Sequence, residues 1–389
     1  MSDLESNSPD PETALGRLLS ELTSELAQLE QEHQRRRLAT ARRLPGGRIE
    51  LEGKVLWDFS SNDYLGLSQH PTVVEAAAQV AHDYGAGAGA SRLVSGNHPL
   101  YRELEARLAE LKGAEAALVF SSGYTCNLGL FSSLAERGDL ILCDKLDHAS
   151  IFDAARLSGA TVRVFEHGDV DQLEQQLIRY RRRRMFVATE AVFSMDGDLA
   201  PLPRMLELCE HHGAVLVVDD AHGFGVLGER GTGCLEHWGL DPARLIVMGT
   251  LSKAVGSVGG YVTGPRALIE GLVNRARSLI YSTALPPAAI GAAVAALELI
   301  PTLADERAHL KRLRSAFGEC SAPSTPIVPW IVGDSRRALE AATALREAGF
   351  FTVAIRPPTV PGGTARLRLS LSAAHPLEVV HALLEHLRP

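Results

Sequence analysis

The stretch VLVVDDAHG, residues 215–223, decides the fold. Four apolar residues, Val215 to Val218, run without alternation into Asp219, Asp220, Ala221, His222 and Gly223. A short continuous apolar run is the pattern of a strand covered on both faces, and the abrupt change to acid, acid and histidine marks its carboxyl end. Similar runs lie on either side: Ala116 to Phe120, Leu140 to Cys143, Thr161 to Phe165, Met185 to Thr189, Leu245 to Met248 and Gly260 to Thr263. Amphipathic stretches separate them, so residues 62–264 predict an α/β fold, a mostly parallel sheet with helices on both faces. Further out, residues 278–313 read as helical. Strand-like runs at 327–332, 351–355 and 367–372 then mix with helix-like stretches at 336–348 and 377–387, which predicts a smaller C-terminal α+β domain. Leu15, Leu18, Leu19, Leu22, Leu26 and Leu29 recur at helical spacing, predicting an amphipathic helix over 14–37 that packs on the body or on a partner subunit. The expected division is an arm over 1–60, a large domain over 61–290 and a small domain over 291–389.

Composition narrows the function. The chain has 389 residues, 46% hydrophobic and 22% charged, the profile of an ordinary folded protein with room for two domains. Its net charge of −8 argues against sequence-independent nucleic-acid binding, which needs a basic surface. The basic cluster Arg179 to Arg184 ends a charged helix-like stretch and reads as a solvated turn. Five cysteines, odd in number and without CxxC spacing, indicate neither a disulfide framework nor a zinc site and predict a reducing, cytoplasmic setting. Met1 to Thr13 has no basic and apolar leader pattern, so no secretory signal is expected. Pro286, Pro287 and Glu298 interrupt the apolar stretch 284–300, which reads as a packed helix rather than a membrane span.

In open α/β sheets, ligands bind beyond the carboxyl ends of the strands. Asp219 and His222 stand at one such end, and Lys253 stands at another, in GTLSKA at 249–254. A carboxylate and a lysine in equivalent places point to pyridoxal phosphate, whose ring nitrogen needs an acid and whose aldehyde needs an amine. Ser121, Ser122, Gly123 and Tyr124 follow a strand and open a helix, where backbone N–H groups suit a phosphate. His148 follows the run 140–143 and either stacks on a planar ring or caps the helix beginning near Ala149. An Asp-Asp pair after a Val-rich strand also occurs at magnesium–nucleotide sites, but the chain has no GxxxxGK[ST] loop. Gly85, Gly87 and Gly89 follow a helix-like stretch instead of a strand and read as a flexible active-site segment. His222 alone is compatible with a metal ligand beside Asp219 or with a hydrogen-bonded histidine. No metal site is expected, and without a GxSxG elbow a triad hydrolase is disfavoured.

Together these segments resemble the α-oxoamine synthase family of fold-type-I pyridoxal-phosphate enzymes. The matching stretches are SSNDYLGL (60–67), SGY (122–124), DHAS (147–150), VFSMDGD (192–198), DDAHG (219–223), GTLSKA (249–254) and RPPTVP (356–361). The resemblance implies the PLP-dependent transferase fold type I and a homodimer with sites at its interface. It also implies that Lys253 bonds the cofactor aldehyde, Asp219 meets the ring nitrogen, His222 and Ser194 lie near the phenolic oxygen, and His148 stacks on the ring. Gly123, Tyr124 and Thr250 are implied to hold the phosphate, together with Ser282 or Thr283 of the partner subunit. Asn62, His148, Thr359 and Arg368 are implied to meet substrate, as is an arm arginine, Arg42 or Arg43. IRPPTVPGGTARLRLSLS (355–372) resembles the branch that condenses L-alanine with a pimeloyl thioester more than the glycine C-acetyltransferases. Arg368 is expected to face the site and Arg366 the opposite side of its strand.

Overall fold

The computed structural model describes residues 13–318 and 325–387. Cys320 and the acidic segment before Thr13 lie outside them. Strands β1 (Ala41–Leu44), β2 (Arg48–Leu51) and β3 (Lys54–Asp58) form an antiparallel meander. The central sheet holds β4 (Ala116–Phe120), β5 (Leu140–Asp144), β6 (Thr161–Phe165), β7 (Met185–Glu190), β8 (Val215–Asp219), β9 (Ile246–Thr250) and β10 (Gly260–Gly264). Its order is β4-β10-β9-β8-β7-β5-β6. The pairs from β6 to β9 are parallel, and β10 runs antiparallel between β9 and β4.

The unbroken apolar runs are explained by two cores. Ile141, Cys143, Phe186, Ala188, Val217 and Met248 pack on one face of the sheet. Their neighbours Leu140, Leu142, Met185, Val187, Leu216 and Val247 pack on the other. Each buried Leu, Val, Ile, Phe or Met contributes about 1.5–3 kcal/mol relative to exposure, so a polar residue inside any of these strands would be costly. Because β4 runs in the same direction as β9, the carboxyl ends of β4, β5, β7, β8 and β9 share one edge of the sheet. Register sets Glu190 opposite Asp219, Asp219 opposite Met248, and Gly260 between Thr250 and Phe120. The polar residues that end these strands, Asp144, Glu190, Asp219 and Thr250, are thereby gathered on this edge.

The C-terminal part contains β11 (Ile327–Gly333), β12 (Phe350–Phe351), β13 (Ala354–Ile355) and β14 (Ala365–Ser370), with β11-β14-β13 antiparallel. β12 instead pairs in parallel with β3. Residues 41–58 therefore share a sheet with the C-terminal part, and the boundary expected at residue 60 does not separate them. The helix Ala14–Gln31 is capped by Thr13, whose Oγ1 accepts from Gly16 N at 3.0 Å. It stops short of the expected Arg37 because His33 enters the left-handed region at φ 55. Its six leucines are all exposed in the single chain. Among the described residues no single helix is long and apolar enough to cross a membrane.

Candidate active site

Two hydrogen-bond chains converge on the polar edge. The first starts at Lys253, just past β9, whose Nζ lies 2.8 Å from His222 Nε2. His222 Nδ1 lies 2.6 Å from the Tyr64 hydroxyl. Arg368 on β14 donates to that hydroxyl at 3.3 Å and to Asn62 Oδ1 at 2.9 Å. Its remaining contacts are Ser370 Oγ at 2.6 Å and the Ser194 carbonyl. The second chain starts at Asp219. Asn127 donates to its Oδ2 at 3.1 Å and to Ser150 Oγ at 2.9 Å, and Ser150 Oγ lies 2.7 Å from His148 Nδ1. Asp219 Oδ1 accepts from its own turn, Ala221 N at 3.0 Å. Lys253, His222, His148, Asn62, Ser194 and Arg368 line one cavity of about 340 Å³.

Burial sets the charges here. It pushes the Lys253 ammonium down to about 8, although the Asp219 carboxylate pulls it back up. Burial, together with the Lys253 and Arg368 cations, holds His222 well below its ordinary value, so its ring is neutral at pH 7. Burial lowers His148 and raises the Tyr64 phenol. Glu190, pushed up to about 8 by burial and the Asp219 charge, keeps its proton at neutral pH. A lysine poised near neutrality beside a neutral histidine is arranged to exchange a proton.

The Aminotransferase class I and II family model matches residues 54–387. The chain belongs to that family. It is also 50% identical to the 8-amino-7-oxononanoate synthase of Maricaulis maris over 357 residues, 90% of this chain and 91% of the relative. Among solved structures it is similar to a serine palmitoyltransferase with its PLP internal aldimine (TM-score 0.89, 29% identity, 96% of this chain and 98% of that one). A second is an 8-amino-7-oxononanoate synthase from Francisella tularensis (TM-score 0.75, 30% identity, 85% and 96%). The fold is that of the fold-type-I enzymes, and the cofactor is pyridoxal phosphate.

The residues present fit that cofactor. The helix Gly123–Leu134 starts where β4 ends, capped by Ser122, whose side chain accepts from Thr125 N. The first-turn N–H groups of Gly123 and Tyr124 belong to the set a helix start leaves without helical partners. A Cβ on Gly123 would stand 3.5 Å from Thr250 Oγ1, inside this cradle. Thr250 Oγ1 bonds Ser252 Oγ and the Gly259 carbonyl, each at 2.8 Å. Tyr124 turns its phenol away to Asp153, so only its backbone is available to a phosphate. Ser282 of the same chain reaches Ser121, with 3.3 Å between hydroxyls.

Other expected residues land elsewhere. Arg42 lies on β1, exposed and paired with Glu50 at 2.6 Å, so the fold does not bring it to the cavity. Arg43 pairs with Asp63 at 3.1 Å. The arm arginine that meets Thr359 is Arg36, at 3.2 Å from its hydroxyl, in a cleft of about 410 Å³ that shares Val353 and Ile355 with the first cavity. Arg366 does not face away from Arg368. Side chains alternate along a strand, so residues two apart share a face. Both reach the loop after β7, Arg366 through Asp196 and the Met195 carbonyl. Asn127, Tyr64 and Glu190 had no expected role, and their only sequence signal was proximity to a strand end or motif.

Proposed function

We propose that this chain condenses L-alanine with a pimeloyl thioester, releasing CO₂ and the carrier thiol and forming 8-amino-7-oxononanoate, as in biotin biosynthesis. Bound pyridoxal phosphate supplies an aldehyde that captures amines and a ring that accepts the electron pair of a broken bond at the amino-acid α-carbon. Lys253 is the amine for that aldehyde. When the alanine amine takes its place, Lys253 Nζ is free to remove the α-proton, and a value of about 8 suits that exchange. Asp219, its Oδ2 held by Asn127, would keep a proton on the ring nitrogen. His148, tied through Ser150 to the same network, would lie against the ring face of the bound cofactor. Arg368 and Asn62 hold the alanine carboxylate; four N–H groups of the arginine are engaged, and the fifth is left for substrate. Thr359 and Arg36 border the path of the acyl thioester. As the α-carbon forms its bond to the acyl carbonyl, the C–S bond of the thioester breaks and the carrier thiol leaves; the carboxylate, now β to a carbonyl, departs as CO₂, and Lys253 returns a proton to the α-carbon.

The observation that carries this reading is the unbroken chain from Lys253 through His222 and Tyr64 to Arg368, of which Lys253, His222 and Arg368 line one cavity. The active form is a homodimer in the cytoplasm. Exposed Leu93, Val94 and Tyr281 and the leucine face of the first helix support association, and the four cysteines among the described residues, all buried and unpaired, support a reducing compartment. A panel pairing alanine, glycine and serine with acetyl- and pimeloyl-CoA, read by thiol release and product mass, tests the reaction. Alanine with pimeloyl-CoA should exceed glycine with acetyl-CoA in kcat/KM by at least about a hundredfold. The reverse order would make the chain a glycine C-acetyltransferase.

A further inference from the structure

Behind the cavity lies an ion pair that the proposed chemistry does not use. Lys112 ends the helix Pro99–Lys112, and its Nζ lies 2.7 Å from Asp220 Oδ2, with both side chains at 0% exposure. The same ammonium donates to the Thr232 carbonyl at 2.6 Å and sits 4.3 Å from the centroid of the Phe224 ring. Asp220 also accepts from Cys234 N, at 3.2 and 3.1 Å to its two oxygens, and its own N–H is tied to the Met248 carbonyl at 2.8 Å. The fold leaves no slack around it. A Cβ on Gly223 would stand 2.2 Å from Asp220 Oδ1, and one on Gly233 would stand 2.0 Å from Oδ2 and 2.8 Å from Lys112 Nζ.

Burying two charges is expensive, and an apolar pair of similar volume often serves stability as well or better. Stability alone therefore does not account for the pair, and its location does more. Asp220 immediately follows Asp219 and stands two residues before His222, so the turn it anchors carries both groups. Asp219 takes Ala221 N from that turn, and His222 projects from it to Tyr64 and Lys253. We propose that Lys112 and Asp220 are positioning residues, a clamp behind the sheet edge that fixes the Asp219 carboxylate and the His222 ring while keeping the second acid of the pair neutralised and away from the cofactor. This rests on the assignment of Asp219 and His222 given above.

The test uses the holoenzyme with the double substitution Lys112→Met and Asp220→Asn, which removes both charges and leaves neither buried alone. It should stay folded, with a thermal midpoint within a few degrees of the parent. Its kcat should fall at least about tenfold while KM for alanine changes less than about threefold, the split of an interaction felt mainly in the transition state. The pH midpoint of its visible absorbance, which follows the protonation of the Lys253–cofactor link, should move by more than about half a unit, corresponding to about 0.7 kcal/mol. A double variant matching the parent in both kcat and absorbance midpoint would overturn the proposal. So would one that cannot be recovered folded, since the pair would then be a folding element. If the parent itself releases no thiol from pimeloyl-CoA with alanine, the functional reading fails, while the absorbance midpoint still tests the clamp.

Discussion

Replacing Lys253 with methionine should make the cofactor-free protein more stable at neutral pH, because the fold holds this ammonium at a cost. The group falls from 10.5 to about 8 on folding, a shift equivalent to about 3 kcal/mol at 1.36 kcal/mol per unit. Between pH 8 and 10.5 the unfolded chain binds the proton that the native state has released, so stability rises with pH across that window. Below pH 8 both states are protonated and the full penalty applies. Methionine fills a similar volume without charge and removes the penalty, while the lost bond to His222 returns part of it. The expected net gain at pH 7 is about 1–2 kcal/mol. Urea unfolding of both proteins at pH 7 and pH 10.5, after removal of pyridoxal phosphate, reads it. The advantage of the variant should shrink by up to about 3 kcal/mol at the higher pH. An advantage that is absent at pH 7, or equal at the two pH values, would refute the argument that burial tunes this lysine.

Asp219→Asn should lower kcat more than it weakens alanine binding, since a proton on the ring nitrogen matters most as charge enters the ring; steady-state kinetics showing unchanged kcat would remove Asp219 from that role. Arg368→Lys should raise KM for alanine at least about tenfold because the three N–H groups of an ammonium cannot keep the four protein contacts of the guanidinium and still reach the carboxylate, whereas Arg366→Lys should leave KM near the parent value and lower stability through the lost Asp196 contact. His167, which burial lowers but whose bonds to Asp144 and Asp198 raise to about 10, should remain charged at neutral pH. His167→Gln should therefore cost about 1–2 kcal/mol in urea unfolding. That contribution is fully present below pH 6.5 and should fade as pH rises through 10.

The central sheet was legible because strands buried on both faces carry unbroken apolar runs, and Asp219 and Lys253 were legible because they stand directly at the ends of such runs. Asn127 was not. Its partner Asp219 lies 92 positions away, and only the packing of the helix after β4 against the end of β8 joins them. Glu190 closes an apolar run, but its retained proton depends on burial beside Asp219, which one sequence does not display. Arg36 sits in a run of three arginines whose choice among themselves is made by the contact with Thr359, 323 positions away. The placement of Arg366 was legible and misread, since the two-residue strand period sets it on the same face as Arg368. The helix end at Gln31 depends on a backbone turn at His33 that leucine spacing does not encode.

Everything proposed for this site depends on the amine at the end of β9 being the one that bonds the cofactor. Borohydride reduction of the holoenzyme, followed by proteolysis and mass mapping, tests it most directly, because reduction fixes the Schiff base as a stable secondary amine. A single modified peptide carrying the phosphopyridoxyl mass on Lys253 is expected, and none in the Lys253→Met variant. The same mass on any other lysine, or its persistence in that variant, would contradict it.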